Sequence, residues 1–172
     1  MATDHLNIVE RKLIDNLRAG TYNTTAGIGS GNAWTTADVN VFGQFPDAVD
    51  LEYPAIVVEM VANGIEEQFM GQRVTSGSTE AVGELYGVAF NIHVGVDKDS
   101  SITVATVPYK QRRLINYLML NSANVIMDCD FSSSGTEVVE RFYTGFRDIG
   151  YEPESEIWAG VTGMVVLFKN TR

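Results

Sequence analysis

The sequence contains very little cysteine. Cys129 is the only thiol among the 172 residues, so an intrachain disulfide and a zinc site built from four thiolates are both excluded. Asp128 and Asp130 flank this cysteine. Because neighbouring negative charge disfavours the nucleophilic thiolate form, we expect Cys129 to be a structural, at least partly buried residue rather than a catalytic one.

Basic residues are also scarce. Twelve lysines and arginines stand against 22 acidic residues, which gives a formal net charge of −10, and only four of the basic residues are lysine. A generic nucleic-acid binder needs a basic surface to neutralise phosphates, so that class of function is excluded. A chain this acidic should be soluble and should repel its own copies at low salt.

Long apolar runs are missing too. No stretch approaches the roughly 18 apolar residues that a membrane-spanning helix needs. The first residues, MATDHLNIVERKL, contain acidic side chains and no continuous apolar segment, unlike a secretory signal. We therefore expect a protein that is made and assembled inside a cell and has no membrane partner.

Catalytic and metal-binding motifs are absent as well. The segment GIGSG at 27–31 has the glycines of a phosphate-binding loop, but it lacks the Lys and the Ser or Thr that a P-loop requires. His5 and His93 do not form a metal-ligand spacing, and DKDSS at 97–101 supplies only the first two ligands of an EF-hand loop. A site around His93, with the nearby Asn91 and Asp97, is the weaker alternative to a structural role. We predict no catalytic residue, no cofactor and no metal.

Two amphipathic helices and several strands account for most of what is present. Apolar residues at spacings of three and four predict the first helix, and alternation of apolar with small or polar residues predicts the strand at 84–96. The predicted order begins with a helix over 4–19, with Asp4 as N-cap and Gly20 at C′, a long arm over 20–53 and a strand over 54–62. It continues with a tight turn at Asn63-Gly64, a hairpin partner over 65–75, a flexible tip over 76–84, a strand over 84–96 and a loop over 97–107. It ends with a helix beginning near Pro108 and running through 109–123, a short strand and turn over 124–135, and strands over 137–149 and 156–168.

This order favours an α+β fold, with a mostly antiparallel β-sheet packed by two main helices and with long loops or hairpin arms. The arm at 20–53 is rich in Gly, Thr, Asn and Asp, yet it contains Trp34, Phe42 and Phe45. Disordered segments are poor in aromatic residues, so this arm is either a functional extension or an excursion with short strands of its own.

The acidic stretch YEPESEIW near the end of the chain is the most unusual local pattern. Glu152, Glu154 and Glu156 have the two-residue spacing of one strand face, but Pro153 cannot donate to a strand ladder. Without a histidine or a basic neighbour, three carboxylates are poor acid–base machinery, and a weak divalent-ion site is the lesser alternative. We expect a hairpin connection, with Trp158 anchoring the returning strand in the core or at an interface between copies.

The one basic cluster is KQRR at 110–113, on the second predicted helix. It is too small to form a nucleic-acid surface. Arg112 and Arg113 could instead pair with an acidic patch in the same chain or in a neighbouring copy. The acidic residues at 152–156 therefore face solvent, the lumen of an assembly, or this cluster on the next subunit.

The order of elements resembles that of the tail terminator, or tail completion, proteins of long-tailed phages and tailed archaeal viruses. The resemblance is carried by the N-terminal helix, YPAIVVEMV, ELYGVAFNIHVGV, the helix VPYKQRRLINYLML, and the closing GFRDIGYEPESEIWAGVTGMVVLF. It covers most of residues 1–170 except the 20–53 arm. It implies one tail-terminator-like domain over 1–172 with that arm as an insertion.

The resemblance also implies a function. Members of this family form a hexameric ring on the last ring of tail-tube protein, where they end polymerisation and dock the tail to the neck of the head. It implies a virion protein assembled in the host cytoplasm, whose partners are its own copies, the tube protein and a neck protein. DNA passes through the lumen without specific binding, and no catalytic residue is carried over.

Two other classes of function remain open from the sequence. One is another ring of the neck or tail, such as a head-closure, tail-joining or minor tail protein. The other is a small α+β enzyme whose site the sequence does not disclose.

Overall fold

The computed structural model describes residues 5–22, 31–32, 34, 38–46, 51–76, 79–104, 106–129, 131 and 137–171. Within them the chain forms two helices, a five-stranded sheet and two small two-stranded sheets. The elements are α1 His5–Ala19, β1 Thr21–Tyr22, β2 Gly31–Asn32, β3 Asn40–Phe42, β4 Ala55–Ser76, β5 Thr79–Asp97, β6 Ser101–Val104, β7 Val107–Lys110, α2 Gln111–Met127, β8 Glu137–Glu152 and β9 Ile157–Thr171. The predicted α+β class is confirmed.

The large sheet has the strand order β3-β4-β5-β9-β8. Every pair is antiparallel except β3 with β4, which is parallel. The alternation predicted for β5 is confirmed, because its buried side chains form a single row: Val88, Phe90, Ile92, Val94 and Val96. This row shares one core with the buried residues of α1 and α2, so both helices cover the same face of the sheet.

The first helix matches its prediction within the described residues. Val9, Leu13 and Leu17 are fully buried, and they hold α1 against the core. Gly20 has a φ of 60° and donates its N–H to the carbonyl of Asn16 at 3.0 Å, which is the expected left-handed helix end. Asp4, the predicted N-cap, lies outside the described residues.

The arm at 20–53 contains short strands, as one of its two interpretations predicted. β1 pairs with β2, and β3 adds to β4 through Asn40, Val41 and Phe42. Trp34 is buried, and its indole Nε1 donates to the carbonyl of Leu17 at 2.8 Å. The described parts of the arm are therefore attached to the helical core.

The tight turn predicted at Asn63-Gly64 is wrong. β4 runs through both residues, with Asn63 opposite Val88 and Gly64 opposite Gly87 of β5. The described residues of the segments predicted as a hairpin partner and a flexible tip, 65–75 and 76–84, belong instead to the strands of the long β4–β5 hairpin, and residues 77–78 lie outside the described part. Continuous pairing with β5 outweighs the local turn preference of Asn-Gly. The pairing register shifts at three places along β4, where bulges accommodate residues that have no partner opposite them on β5.

The second helix begins later and ends later than predicted. Pro108 lies in β7, and the expected loop at 97–107 contains most of the β6–β7 hairpin. α2 begins at Gln111 and runs to Met127, so the short strand expected after residue 124 is wrong. Val125 and Ile126 are buried in the core, and this packing outweighs the weak strand preference of β-branched residues. Cys129 is buried beyond the helix, as expected.

Candidate interaction surface

The acidic stretch forms the connection between the two C-terminal strands, as predicted. β8 ends at Glu152 and β9 begins at Ile157, with residues 153–156 forming the turn between them. Glu152 is opposite Ile157, whereas Glu154 and Glu156 belong to the turn. The three glutamates therefore do not line one strand face, and the predicted interruption of the strand at Pro153 is confirmed.

Glu156 is engaged within its own chain. Its carboxylate pairs with the Nζ of Lys98, and the hydrogen bond and charge of Glu156 together raise the pKa of Lys98. Both side chains are about half exposed, and such a pair contributes little stability because water screens it. The contact fixes the turn against the loop that follows β5. Glu152 and Glu154, in contrast, are exposed to solvent.

Trp158 anchors the start of β9. It lies between Val96 of β5 and Tyr151 of β8, and its ring centroid is 4.4 Å from that of Tyr151. The indole is half-buried and packs against the hydrophobic core. The structure thus supports the core role among the two that the sequence allowed.

Arg112 and Arg113 lie at the exposed start of α2, away from its buried side. The guanidinium of Arg113 is 4.7 Å from the centroid of the Tyr109 ring, and that ring packs on Tyr117 at 4.4 Å. The N-cap, Lys110, makes no side-chain hydrogen bond to the helix. The start of α2 is therefore basic, with an aromatic side chain beneath its second arginine.

The structure contains an apolar groove beside β8 that the sequence did not predict. Asn116, Met119 and Leu120 of α2 and Phe146 of β8 line it, and its volume is about 440 Å³. We call it the α2–β8 groove. Leu120 and Phe146 are 53% and 52% exposed, and Tyr143 packs edge-on against Phe146 with a centroid distance of 5.5 Å. Exposed apolar side chains that line a groove make it a candidate interaction site.

Bulges in β8 explain why the groove was missed. Along a strand without a bulge, Phe146 would lie on the face opposite Arg141 and Tyr143. The register shifts between Tyr143 and Gly145, so Phe146 joins them on the helix side, while Arg147 moves to the other face. The one available signal was Leu120, which extends the apolar side of α2 beyond what the core needs.

The opposite face of the sheet carries His93, the residue for which the sequence left a binding site open as an alternative. His93 Nε2 lies 2.7 Å from Glu59 Oε2 on the neighbouring strand, rather than meeting Asn91 or Asp97. Phe45 packs against the imidazole with a centroid distance of 4.8 Å, beside a small apolar pocket of about 160 Å³. This arrangement holds the arm on the sheet.

Neither a metal cluster nor a membrane span is found in the described part of the chain. No group of three or more His, Cys, Asp or Glu residues is arranged there to hold a metal ion. No helix there is both long enough and apolar enough to cross a bilayer. A scan against protein-family models and a search of curated proteins both return no match for this chain.

Proposed function

We propose that this chain is a structural virion protein that forms a ring, hexameric in the arrangement that its resemblance implies. The ring caps the tail tube, ends its polymerisation and docks it to the neck of the head. This proposal joins the resemblance to tail terminator proteins with one observation on the fold, the two open edges of the large sheet.

Each side of the large sheet has a long strand with backbone groups that are unpaired among the described residues. β8 pairs there only with β9, so its outer edge is free along 16 residues. On the other side the edge strand β3 covers only residues 55–57 of β4, so within the described residues the edge of β4 at 58–76 is open. Open edges recruit further strands, and two different edges on opposite sides favour head-to-tail contacts. Such contacts close into a ring when the rotation between copies permits.

The β4–β5 hairpin supplies a device for reaching other proteins. β9 pairs with β5 only as far as Gly83, so the outermost part of the hairpin is a two-stranded ribbon. This ribbon comprises residues 73–76 of β4 and 79–82 of β5. Because it extends past the end of β9, it is suited to contact the tube or the neck protein.

The charge of the chain suits a channel for DNA. Six chains of −10 give a ring of −60 before any ion binds. Acidic residues that line a lumen repel the phosphates of passing DNA, so DNA moves through without adhering to the wall. In this proposal the protein acts in the virion, after assembly in the host cytoplasm, and has no catalytic role.

The decisive experiment is a tube assembly assay with the tail-tube protein encoded beside this chain. Tube protein is allowed to polymerise with and without the purified chain, and tube lengths are measured by negative-stain electron microscopy. We expect shorter tubes of narrow length distribution, each with a ring at one end. Unchanged tubes together with binding to a neck protein would favour the head-closure or tail-joining alternative instead.

A further inference from the structure

We propose that the α2–β8 groove binds a second copy of this chain. The open edge of β4 in that copy, at residues 59–67, pairs with the free edge of β8 beside the groove. This inference rests on the proposed ring-forming function and names the surfaces that meet within it. The geometry of β8, the shape of the groove and the distribution of charge each support this choice.

The groove and the free edge of β8 form one continuous surface. Tyr143 and Phe146 point to the helix side of β8, beside the row of backbone groups that is free within the described residues. A strand added to that edge places every second side chain on the helix side, over the groove. Main-chain hydrogen bonds then supply affinity, and apolar side chains in the groove supply specificity. The groove therefore suits an extended segment with apolar residues.

Charge selects which extended segment fits. Three arginines lie on the elements that build the groove, Arg112 and Arg113 at the start of α2 and Arg141 on the helix side of β8, and α2 contains no acidic residue. In a chain with a net charge of −10, this is a local concentration of positive charge. The groove therefore favours an acidic, apolar partner.

The open edge of β4 has that composition. The stretch EMVANGIEE at 59–67 contains no lysine or arginine. Glu59 pairs with His93, and the remaining acidic residues of the stretch are Glu66 and Glu67, alongside Met60, Val61 and Ile65. Val61 lies at a bulge in β4 and is 54% exposed. Natural proteins normally avoid an exposed valine on an open strand edge, because such an edge aggregates unless a partner covers it.

Because the two surfaces differ, the contact is head-to-tail, and this gives a direct test. Phe146→Asp introduces a charge into the groove, and Val61→Arg introduces one at the β4 edge. Each side chain is more than half exposed, so both variants should keep the fold, which circular dichroism and thermal unfolding verify. Sedimentation velocity across a concentration series then compares their self-association with that of the wild type.

We expect each variant alone to self-associate at least about tenfold more weakly than the wild type. An equimolar mixture should form dimers and nothing larger, because each variant retains the surface that the other has lost. Phe142→Asp is the matched control. It lies on the same strand, is 43% exposed and is opposite Val165, on the face away from the helices. It should associate as the wild type does.

Two results would overturn the inference. One is a wild-type chain that stays monomeric throughout the series, and the other is normal association of Phe146→Asp. If that variant associates normally but no longer binds tail-tube ends, the groove is assigned to the tube protein instead. Both results leave the proposed function to be decided separately by the tube-length assay.

Discussion

Gly20 ends α1 in a backbone conformation that side chains rarely adopt. A Cβ at this position would come within 2.6 Å of the backbone oxygen of Trp34 and 2.7 Å of its indole ring. The indole also donates to the carbonyl of Leu17, so displacing it would break a buried hydrogen bond. We expect Gly20→Ala to lower the free energy of unfolding by roughly 2–4 kcal/mol, measured by urea denaturation.

A second substitution separates the two causes of that loss. Asparagine tolerates positive φ better than other residues but still carries a Cβ. If the close approach of Trp34 dominates, Gly20→Asn should be nearly as unstable as Gly20→Ala. Recovery of most of the stability in Gly20→Asn would show instead that backbone conformation alone accounts for the loss.

Tyr53 gives the fold a sensitivity to alkaline pH. Burial, and to a smaller extent the negative charge of Asp97, raise the pKa of Tyr53 above its ordinary value of 10.0. The unfolded chain therefore loses the phenolic proton at a lower pH than the folded chain does. The stability that this group contributes is complete below pH 10.0 and is lost as pH rises through the folded pKa.

Tyr53→Phe removes this titration. We expect its free energy of unfolding to fall less steeply above pH 10.0 than that of the wild type, in urea denaturation at a series of pH values. Tyrosinate absorbance of the native wild type should show one phenol that ionises late, and the variant should lack it. Parallel stability curves for the two proteins would contradict the assignment.

At the scale of elements, Arg141 connects the edge strand β8 to the end of α2. Its Nη1 donates to the carbonyls of Ile126 and Met127, and its guanidinium lies 5.2 Å from the centroid of the Phe131 ring. The last turn of α2 has no basic residue of its own, so Arg141 supplies the positive charge that a helix C-terminus favours.

Arg141→Met keeps the apolar stem of the side chain but removes these hydrogen bonds. We expect it to lower the free energy of unfolding by about 1–2 kcal/mol in chemical denaturation. Arg147→Met on the opposite face of the same strand is the control and should change stability by less than about 0.5 kcal/mol. Equal effects of the two substitutions would mean that Arg141 does not act through the helix end.

Elements with strong periodicity and apolar burial were predictable from the sequence. The apolar spacing of α1 and the alternation in β5 gave both elements because each buries one continuous row of side chains. The β8–β9 connection was predictable for a similar reason, since Pro153 must interrupt the ladder.

Other features depend on contacts that no local pattern encodes. Asn63-Gly64 is a strong turn signal, yet here it lies inside a strand because β5 offers a longer partner. Pro108 can begin a helix, but it lies in a small hairpin and α2 begins three residues later. The groove depends on a bulge after Tyr143, which reverses the expected faces of Phe146 and Arg147. Bulges are set by pairing across strands, so alternation along one strand cannot locate them.

At the level of the whole molecule, assembly of the proposed ring must overcome the repulsion between chains of net charge −10. Local contacts between opposite charges therefore have to be placed where copies meet, and the exposed Glu152 and Glu154 are candidates to meet Arg113 of the next copy. Reversing both glutamates to lysine changes the net charge by +4, from −10 to −6. Lower net charge alone should favour association, whereas loss of a local contact should weaken it.

The two effects change self-association in opposite directions, so a control variant of equal net charge separates them. Asp15→Lys with Asp99→Lys gives the same net charge of −6 from exposed positions outside the hairpin turn and outside β8. We expect the Glu152→Lys, Glu154→Lys variant to self-associate more weakly than the wild type in sedimentation velocity, and the control to associate at least as well. The difference should shrink as salt rises, because screening weakens exposed charge contacts first. If both variants gain association equally, the turn faces solvent or the lumen, and repulsion between whole chains governs assembly.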